Sequence, residues 1–229
     1  GLPELTEVGS KRGFTVDESQ NLNPAYGSGF DVNTSPGSGY LKREEFIEII
    51  KYANERNIEV IPEINFPAHS RAAIKSMLTR YNRFMEMGDV DSAEQYLLTD
   101  FNDKSEYMSA QRYDDNVICI CRESTFNFLK KVISEVEFMF LEANSVIKTF
   151  HIGGDELPYG AWKKSPICSE FLSSSSEFNS VEDLPLYFFK ETLKILSQKN
   201  IYMAGWEDIL LVHSEDVQNA TKINTKFKG

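Results

Sequence analysis

Two carboxylates stand side by side in "HIGGDE", Asp155 and Glu156, directly after Gly153 and Gly154 and a run of β-branched and aromatic residues. Like charges in adjacent positions repel, and glycine weakens a strand interior, so the pattern costs stability unless chemistry or a close backbone approach offsets it. In an extended strand the pair would point to opposite faces. If the strand ends at the glycines, the backbone is free to turn and both side chains can lean to one side. Two carboxyls held close do not both ionise comfortably near neutral pH, which is how a site sets a general acid beside an anion. The plain alternative is a solvated acidic turn.

Two further stretches carry polar groups in the same way. In "PEINFPAHS", Asn65 lies at a strand end, where it could hydrogen-bond Asp155. His69 follows five residues past Ile64, behind the rigid Pro67, on the face expected to carry Glu156, where it could orient or tune a carboxyl. Glu63 points either into the interior or to a helix contact. In "AGWED", Trp206 follows Gly205 at a third strand end. Its ring suits either the core or a wall against the apolar C–H face of a sugar. A metal-dependent hydrolase using His69, His151, Asp155 and Glu63 as ligands is a competing pattern. There His151, near the middle of its strand, is better placed for a buried structural role.

The elements that must position these groups alternate along the chain. "KREEFIEIIKYANERN" puts Phe46, Ile49, Ile50 and Ala53 on one helical stripe and runs into a strand expected from Ile58 to Ile64. "RAAIKSMLTRYNRFMEMG" is helical and ends near Gly88. A polar excursion over 89–120 is too long for a simple connection, which points to a functional role. "STFNFLKKVISEVEFMFLEANS" follows, with Ser124 as its N-cap and Leu129, Val132, Ile133, Val136 and Met139 inward, then the strand "IKTFHIGG". After the Ser-rich loop "SEFLSSSSEFNS", Asp183 and Pro185 open a helix with Leu186, Phe189, Leu193 and Leu196 inward, feeding the strand "NIYMAGW". The first 40 residues, rich in Gly, Ser, Asn and Pro, read as loop. Helices alternating with short β-rich strands predict a parallel α/β fold. The unusual residues sit at strand C-termini, the catalytic face of a (β/α)8 barrel and also the binding edge of an open sheet. No GxGxxG follows a strand, which disfavours a dinucleotide fold.

The chain has 229 residues, 24 Lys and Arg against 35 Asp and Glu, and a net charge of −11. That sign argues against nucleic acid or an anionic membrane as partner. No apolar run is long enough to span a membrane, and there is no internal repeat. Cys119, Cys121 and Cys168 have neither zinc nor redox spacing and read as plain buried or free thiols. Sequons at Asn33 and Asn219 matter only in a eukaryotic secretory protein and otherwise arise by chance. The chain opens without Met and stops in "INTKFKG", so a segment of a longer protein is expected.

Taken in order and spacing, "VIPEINFPAHSRAAI", "FHIGGDE" and "GWEDIL" resemble the catalytic domain of glycoside hydrolase family 20, the β-N-acetylhexosaminidases. The opening "LPELTEVGSKRG" and the 89–120 excursion resemble the chitobiase branch. The resemblance implies a TIM barrel, here an incomplete segment carrying roughly the third to fifth strands. Residues 1–229 would be part of a single catalytic domain, with 1–41 a loop-rich lead-in and 42–229 βα units. It implies hydrolysis of terminal β-linked GlcNAc or GalNAc with retention, the substrate's own acetamide oxygen acting as nucleophile. Glu156 would be the general acid, Asp155 would hold the acetamide N–H, His69 would bond Glu156, and Trp206 would wall the pocket. No metal or cofactor is implied. The partner is an N-acetylhexosamine-terminated oligosaccharide, together with the missing barrel strands and flanking domains. An extracytoplasmic location is implied by the family alone. Asn65 departs from the family's usual Asp and removes a negative charge. The sugar-binding Arg and the later Tyr and Trp of the pocket have no counterpart, so the isolated segment is expected to be inactive. A carbohydrate-binding pseudoenzyme is the alternative, although it would be expected to lack the acid.

Overall fold

The computed structural model describes residues 1–212 and 222–223; the sequon at Asn219 lies outside the described residues. The chain divides into two compact units, one built from residues 1–60, 71–99 and 127–147, the other from 61–70, 100–126 and 148 onward.

The first unit is helical. It holds α1 (Glu4–Glu7), α2 (Arg43–Asn54), α3 (Arg71–Glu86), α4 (Val90–Glu94) and most of α5 (Glu123–Glu142). The Glu45 carboxylate accepts the Lys42 N–H at 2.7 Å and so closes the first turn of α2. Of the expected stripe, Ile50 and Ala53 are buried while Ile49 is exposed. The covered face is narrower than a hydrophobic reading implies and centres on Ile50. Along α5, Leu129 and Ile133 are buried as expected, joined by Phe128 and Phe140, and the Phe140 ring meets Phe46 edge-on at 6.1 Å. Ser124 lies inside this helix and is not its N-cap.

The lead-in, expected to be loop throughout, contains α1 and is pinned by two buried carboxylates. Glu4 pairs with Arg83, and Glu18 pairs with Arg71 while accepting the Asn23 N–H at 2.7 Å. Burial alone would raise the Glu18 carboxyl. The Arg71 and Asn23 hydrogen bonds and the Arg71 and Lys75 charges outweigh it and hold the group below its ordinary value.

The second unit carries a parallel sheet of β1 (Glu63–Phe66), β2 (Thr149–Gly153) and β3 (Tyr202–Ala204), in the order β1-β2-β3. Glu63 lies opposite His151, and His151 lies opposite Ala204. The three expected strands are therefore present and parallel. The first starts later than predicted: Ile58 and Ile61 are exposed, and pairing begins at Pro62, whose carbonyl accepts the His151 N–H at 2.9 Å. Pro62 has no N–H to give a ladder, which accounts for the later start.

On β2, Phe150 and Ile152 are buried. The helix α7 (Leu184–Ser197) buries Leu184, Leu186, Phe188, Phe189, Ile195 and Leu196, each worth about 1.5–3 kcal/mol on full burial. A helix the Ser-rich pattern concealed, α6 (Pro166–Ser174), starts where the Ser165 hydroxyl accepts the Cys168 N–H at 3.2 Å and Pro166 fills the first turn. A short antiparallel pair, β4 (Leu211–Val212) with β5 (Lys222–Ile223), was likewise without sequence signal.

The long excursion is not simply polar. Ile118 and Ile120 are buried, and the Trp162 indole N–H donates to the Ile118 carbonyl at 2.8 Å. The Asn116 carbonyl accepts the Ser70 N–H at 3.0 Å. The thiols also differ from expectation. Cys121 and Cys168, 47 residues apart, form a disulfide, and only Cys119 is free, buried and with its thiol pushed up to about 11 by burial. Sequence spacing could not reveal a bridge that depends on α6 meeting the excursion. No helix among the described residues is long and apolar enough to cross a membrane.

Because the bridge closes a long loop, Cys121→Ser is expected to cost about 2–4 kcal/mol. Thermal melting with and without reductant checks it: reductant should lower the wild-type midpoint towards that of the variant and leave the variant unmoved.

Candidate active site

All of the predicted site residues belong to the second unit. The decisive local feature is the end of β2. Gly153 and Gly154 adopt φ of +72° and +92°, in the left-handed region that favours glycine. Neither has room for a side chain. A β-carbon on Gly153 would strike the Asn65 amide oxygen and lie 2.9 Å from the Asn65 α-carbon, and one on Gly154 would strike Ile209. The chain therefore turns sharply after Ile152, and Asp155 and Glu156 leave the strand direction together. The glycines serve both conformation and close approach.

The opposing segment arrives from β1. Phe66–Pro67 is a cis peptide, and His69, two residues on, has φ of +55°. The Ser70 hydroxyl donates to the Asn65 carbonyl at 2.8 Å, closing the 65–70 turn. His69 Nε2 then lies 3.3 Å from Asp155 Oδ2 and 3.5 Å from Glu156 Oε2. The imidazole sits between the two carboxylates and does not serve Glu156 alone.

The two carboxylates have unlike surroundings. Asp155 is 29% exposed, and its Oδ1 is buried with no hydrogen-bond partner. A buried acceptor left open costs stability. Glu156 is 49% exposed, and its Oε2 accepts from Gln111 Nε2 at 2.7 Å. Its backbone has φ of +49°, and its N–H donates to Asp208 Oδ2 at 2.9 Å. Such a conformation at two non-glycine positions, His69 and Glu156, costs on the order of 1–3 kcal/mol each and persists where surroundings enforce it.

The remaining predicted residues fall differently. Asn65 makes no hydrogen bond to Asp155; its amide is packed against Gly153 instead, which corrects the expected contact. Trp206 is half-exposed, and its ring meets His151 edge-on at 5.1 Å. His151 Nδ1 accepts the Gly153 N–H at 3.2 Å, with Glu63 Oε2 3.5 Å away. Glu63 and His151 lie apart from the cluster of His69, Asp155 and Glu156, and the four-ligand metal set is not assembled. The group with metal-ligand spacing among the described residues is His69, Asp155 and Glu156, whose ligand atoms lie within 4.8 Å of one another.

Gln111 and Asp208 join the cluster through hydrogen bonds that the sequence does not signal. The first lies in the excursion marked as functional by its length, and the second in the quoted "GWED". Neither has a spacing that singles it out. A cavity of about 270 Å³ opens beside the same turn, lined by Gly154, Leu157, Trp162, Phe189, Asp208 and Ile209 among others. Neither Asp155 nor Glu156 is among its lining residues.

Residues 1–226 match the model of the glycosyl hydrolase family 20 catalytic domain. The chain belongs to glycosyl hydrolase family 20. It is 44% identical over 209 residues to a β-hexosaminidase of Vibrio vulnificus, covering 91% of this chain and 24% of that protein. It is 39% identical over 256 residues to an N,N'-diacetylchitobiase of Vibrio harveyi, covering 99% and 29% respectively. A solved family 20 exo-β-N-acetylglucosaminidase from Vibrio harveyi, in complex with N-acetylglucosamine, superposes with a TM-score of 0.73 at 32% identity, over 93% of this chain and 28% of that one. Family 20 catalytic domains are TIM barrels, and the α/β fold here agrees with that class. The chain spans about a quarter of the length of these relatives.

Gly153→Ala should lower the melting temperature, since the left-handed conformation alone costs about 1–3 kcal/mol before the clash with Asn65. An unchanged midpoint would show that the turn has room that its geometry denies.

Proposed function

We propose that the chain is the acid-bearing part of a β-N-acetylhexosaminidase that removes terminal non-reducing β-linked GlcNAc or GalNAc from chitobiose, chito-oligosaccharides or glycan ends. Residues 1–229 form part of one barrel catalytic domain and carry roughly its third to fifth strands. The remaining strands, and the flanking domains, come from the rest of the parent protein.

The observation that carries this reading is the gathering of a more buried carboxyl on Asp155 and a half-exposed one on Glu156 beside His69, behind two left-handed glycines. In the reaction, the substrate acetamide oxygen attacks the anomeric carbon and an oxazolinium forms. Asp155 accepts the acetamide N–H and stabilises the positive charge that develops there. Glu156 protonates the leaving oxygen, and as its conjugate base it takes a proton from the water that opens the oxazolinium. His69, within reach of both, holds them at a fixed separation. Trp206 offers a half-exposed ring against the acetamido side of the sugar.

No cofactor is invoked. Because His69, Asp155 and Glu156 have metal-ligand spacing, a metal-dependent hydrolase is the second reading, and chelation separates the two. The disulfide supports an extracytoplasmic setting, where such bonds persist.

In the full-length protein, Glu156→Gln is expected to lower turnover of a substrate with a poor leaving group by about 10²–10⁴-fold, with KM little changed. Asp155→Ala should be comparably impaired, and a chelator should leave wild-type activity intact. The segment alone should release no nitrophenol from a nitrophenyl N-acetylglucosaminide. Full activity of Glu156→Gln would overturn the assignment, and chelator-sensitive activity would favour the metal reading.

A further inference from the structure

Three residues of the turn after β3 grip the last residue of β2 and two residues of the turn that follows it. The Trp206 N–H donates to the Gly153 carbonyl at 2.8 Å. The Ile209 side chain occupies the space that a β-carbon on Gly154 would need. The Asp208 carboxylate accepts the Glu156 N–H at 2.9 Å.

The third contact differs from the other two. Gly153 and Gly154 adopt their left-handed conformations without penalty, but Glu156, at φ of +49°, occupies a region that residues with side chains seldom visit. Its amide lies past the end of β2 and outside the sheet, so the ladder does nothing to hold it. An acceptor is needed there, and a carboxylate is a strong one for a backbone N–H.

We propose that Asp208 is a positioning residue for the acid: by capturing the Glu156 amide it holds that residue in the left-handed conformation that sends its side chain to His69 and Gln111. This rests on Glu156 being the general acid. It adds a requirement that the cluster itself does not contain, namely that a residue past a neighbouring strand end governs how well the acid works. The second oxygen of Asp208 is not needed, because one acceptor suffices for one amide. Hydrogen-bonding capacity rather than negative charge is therefore the property that matters, and asparagine can supply it.

The test uses the full-length protein and two β-N-acetylglucosaminides, one with a poor leaving group such as methoxide and one with a dinitrophenolate that departs without protonation. The parameter read is kcat/KM, which reports formation of the oxazolinium. Asp208→Ala is expected to lose about 10–100-fold on the first substrate, the size of loss that a small misplacement of a reacting group produces. On the dinitrophenyl substrate the loss should stay within about threefold, because the acid is not needed for that departure. Asp208→Asn should restore the poor substrate to within about threefold of wild type, since its amide oxygen can still accept the N–H. If Asp208→Ala does not fold, Asp208→Leu, close to Asp in size and without an acceptor, carries the same expectation.

Equal losses on the two substrates would mean a general structural role and would overturn the proposal, as would no loss on either or failure of Asp208→Asn to rescue. Glu156→Gln measured alongside separates the two levels. If it is fully active, Glu156 is not the acid. If it is impaired on the poor substrate while Asp208→Ala matches wild type, the positioning role alone falls.

Discussion

At the end of β2 the backbone runs closer to its neighbours than a β-carbon permits. Asn65 presses on Gly153 from the β1 side, and Ile209 presses on Gly154 from the β3 side. A strand that must pass between two such neighbours can do so only with glycines, and glycines also allow the left-handed turn that follows. The placement of Asp155 and Glu156 hangs on that passage. With side chains there, the strand end would have to move away from one flank, and the carboxylates behind it would move with it.

The turn solves a problem of electrostatics as well as of sterics. Adjacent acidic residues repel most when they share surroundings, and here they do not. Asp155 sits deeper, with one oxygen towards His69 and the other lacking a donor, whereas Glu156 reaches further into solvent and meets Gln111. The two carboxylates therefore differ in burial and in hydrogen-bond partners. A single imidazole lies 3.3 and 3.5 Å from the two.

Some of this could be read in the residues before any coordinates. The strand cores are apolar runs bounded by glycine or proline, and a paired acidic motif behind two glycines is conspicuous for its cost. Hence the three parallel strands and the gathering of His69, Asp155 and Glu156 were legible. The start of β1 was misplaced because the β-branched run 58–61 looks like a strand, while Pro62 and the chain leaving α2 dictate otherwise. The helix α6 was hidden by serine, which favours loops in isolation but here supplies a cap at Ser165. Gln111 and Asp208 were not legible at all. Each matters through one hydrogen bond to a residue 45 or 52 positions away, and such contacts leave no periodicity to read.

The spacing Cys119-Ile120-Cys121 has a practical side. Only Cys121 joins Cys168 in the folded protein, yet in a reduced, unfolded chain Cys119 is an almost equally near suitor, with nothing but two residues of contour length to tell them apart. Exchange proceeds through whichever thiolate is exposed, so oxidation ahead of folding would lock a fraction of molecules in the wrong isomer. A producer of this protein would do well to supply a disulfide shuffling catalyst, or to replace Cys119 by alanine, and to verify the pairing by peptide mapping before interpreting any assay.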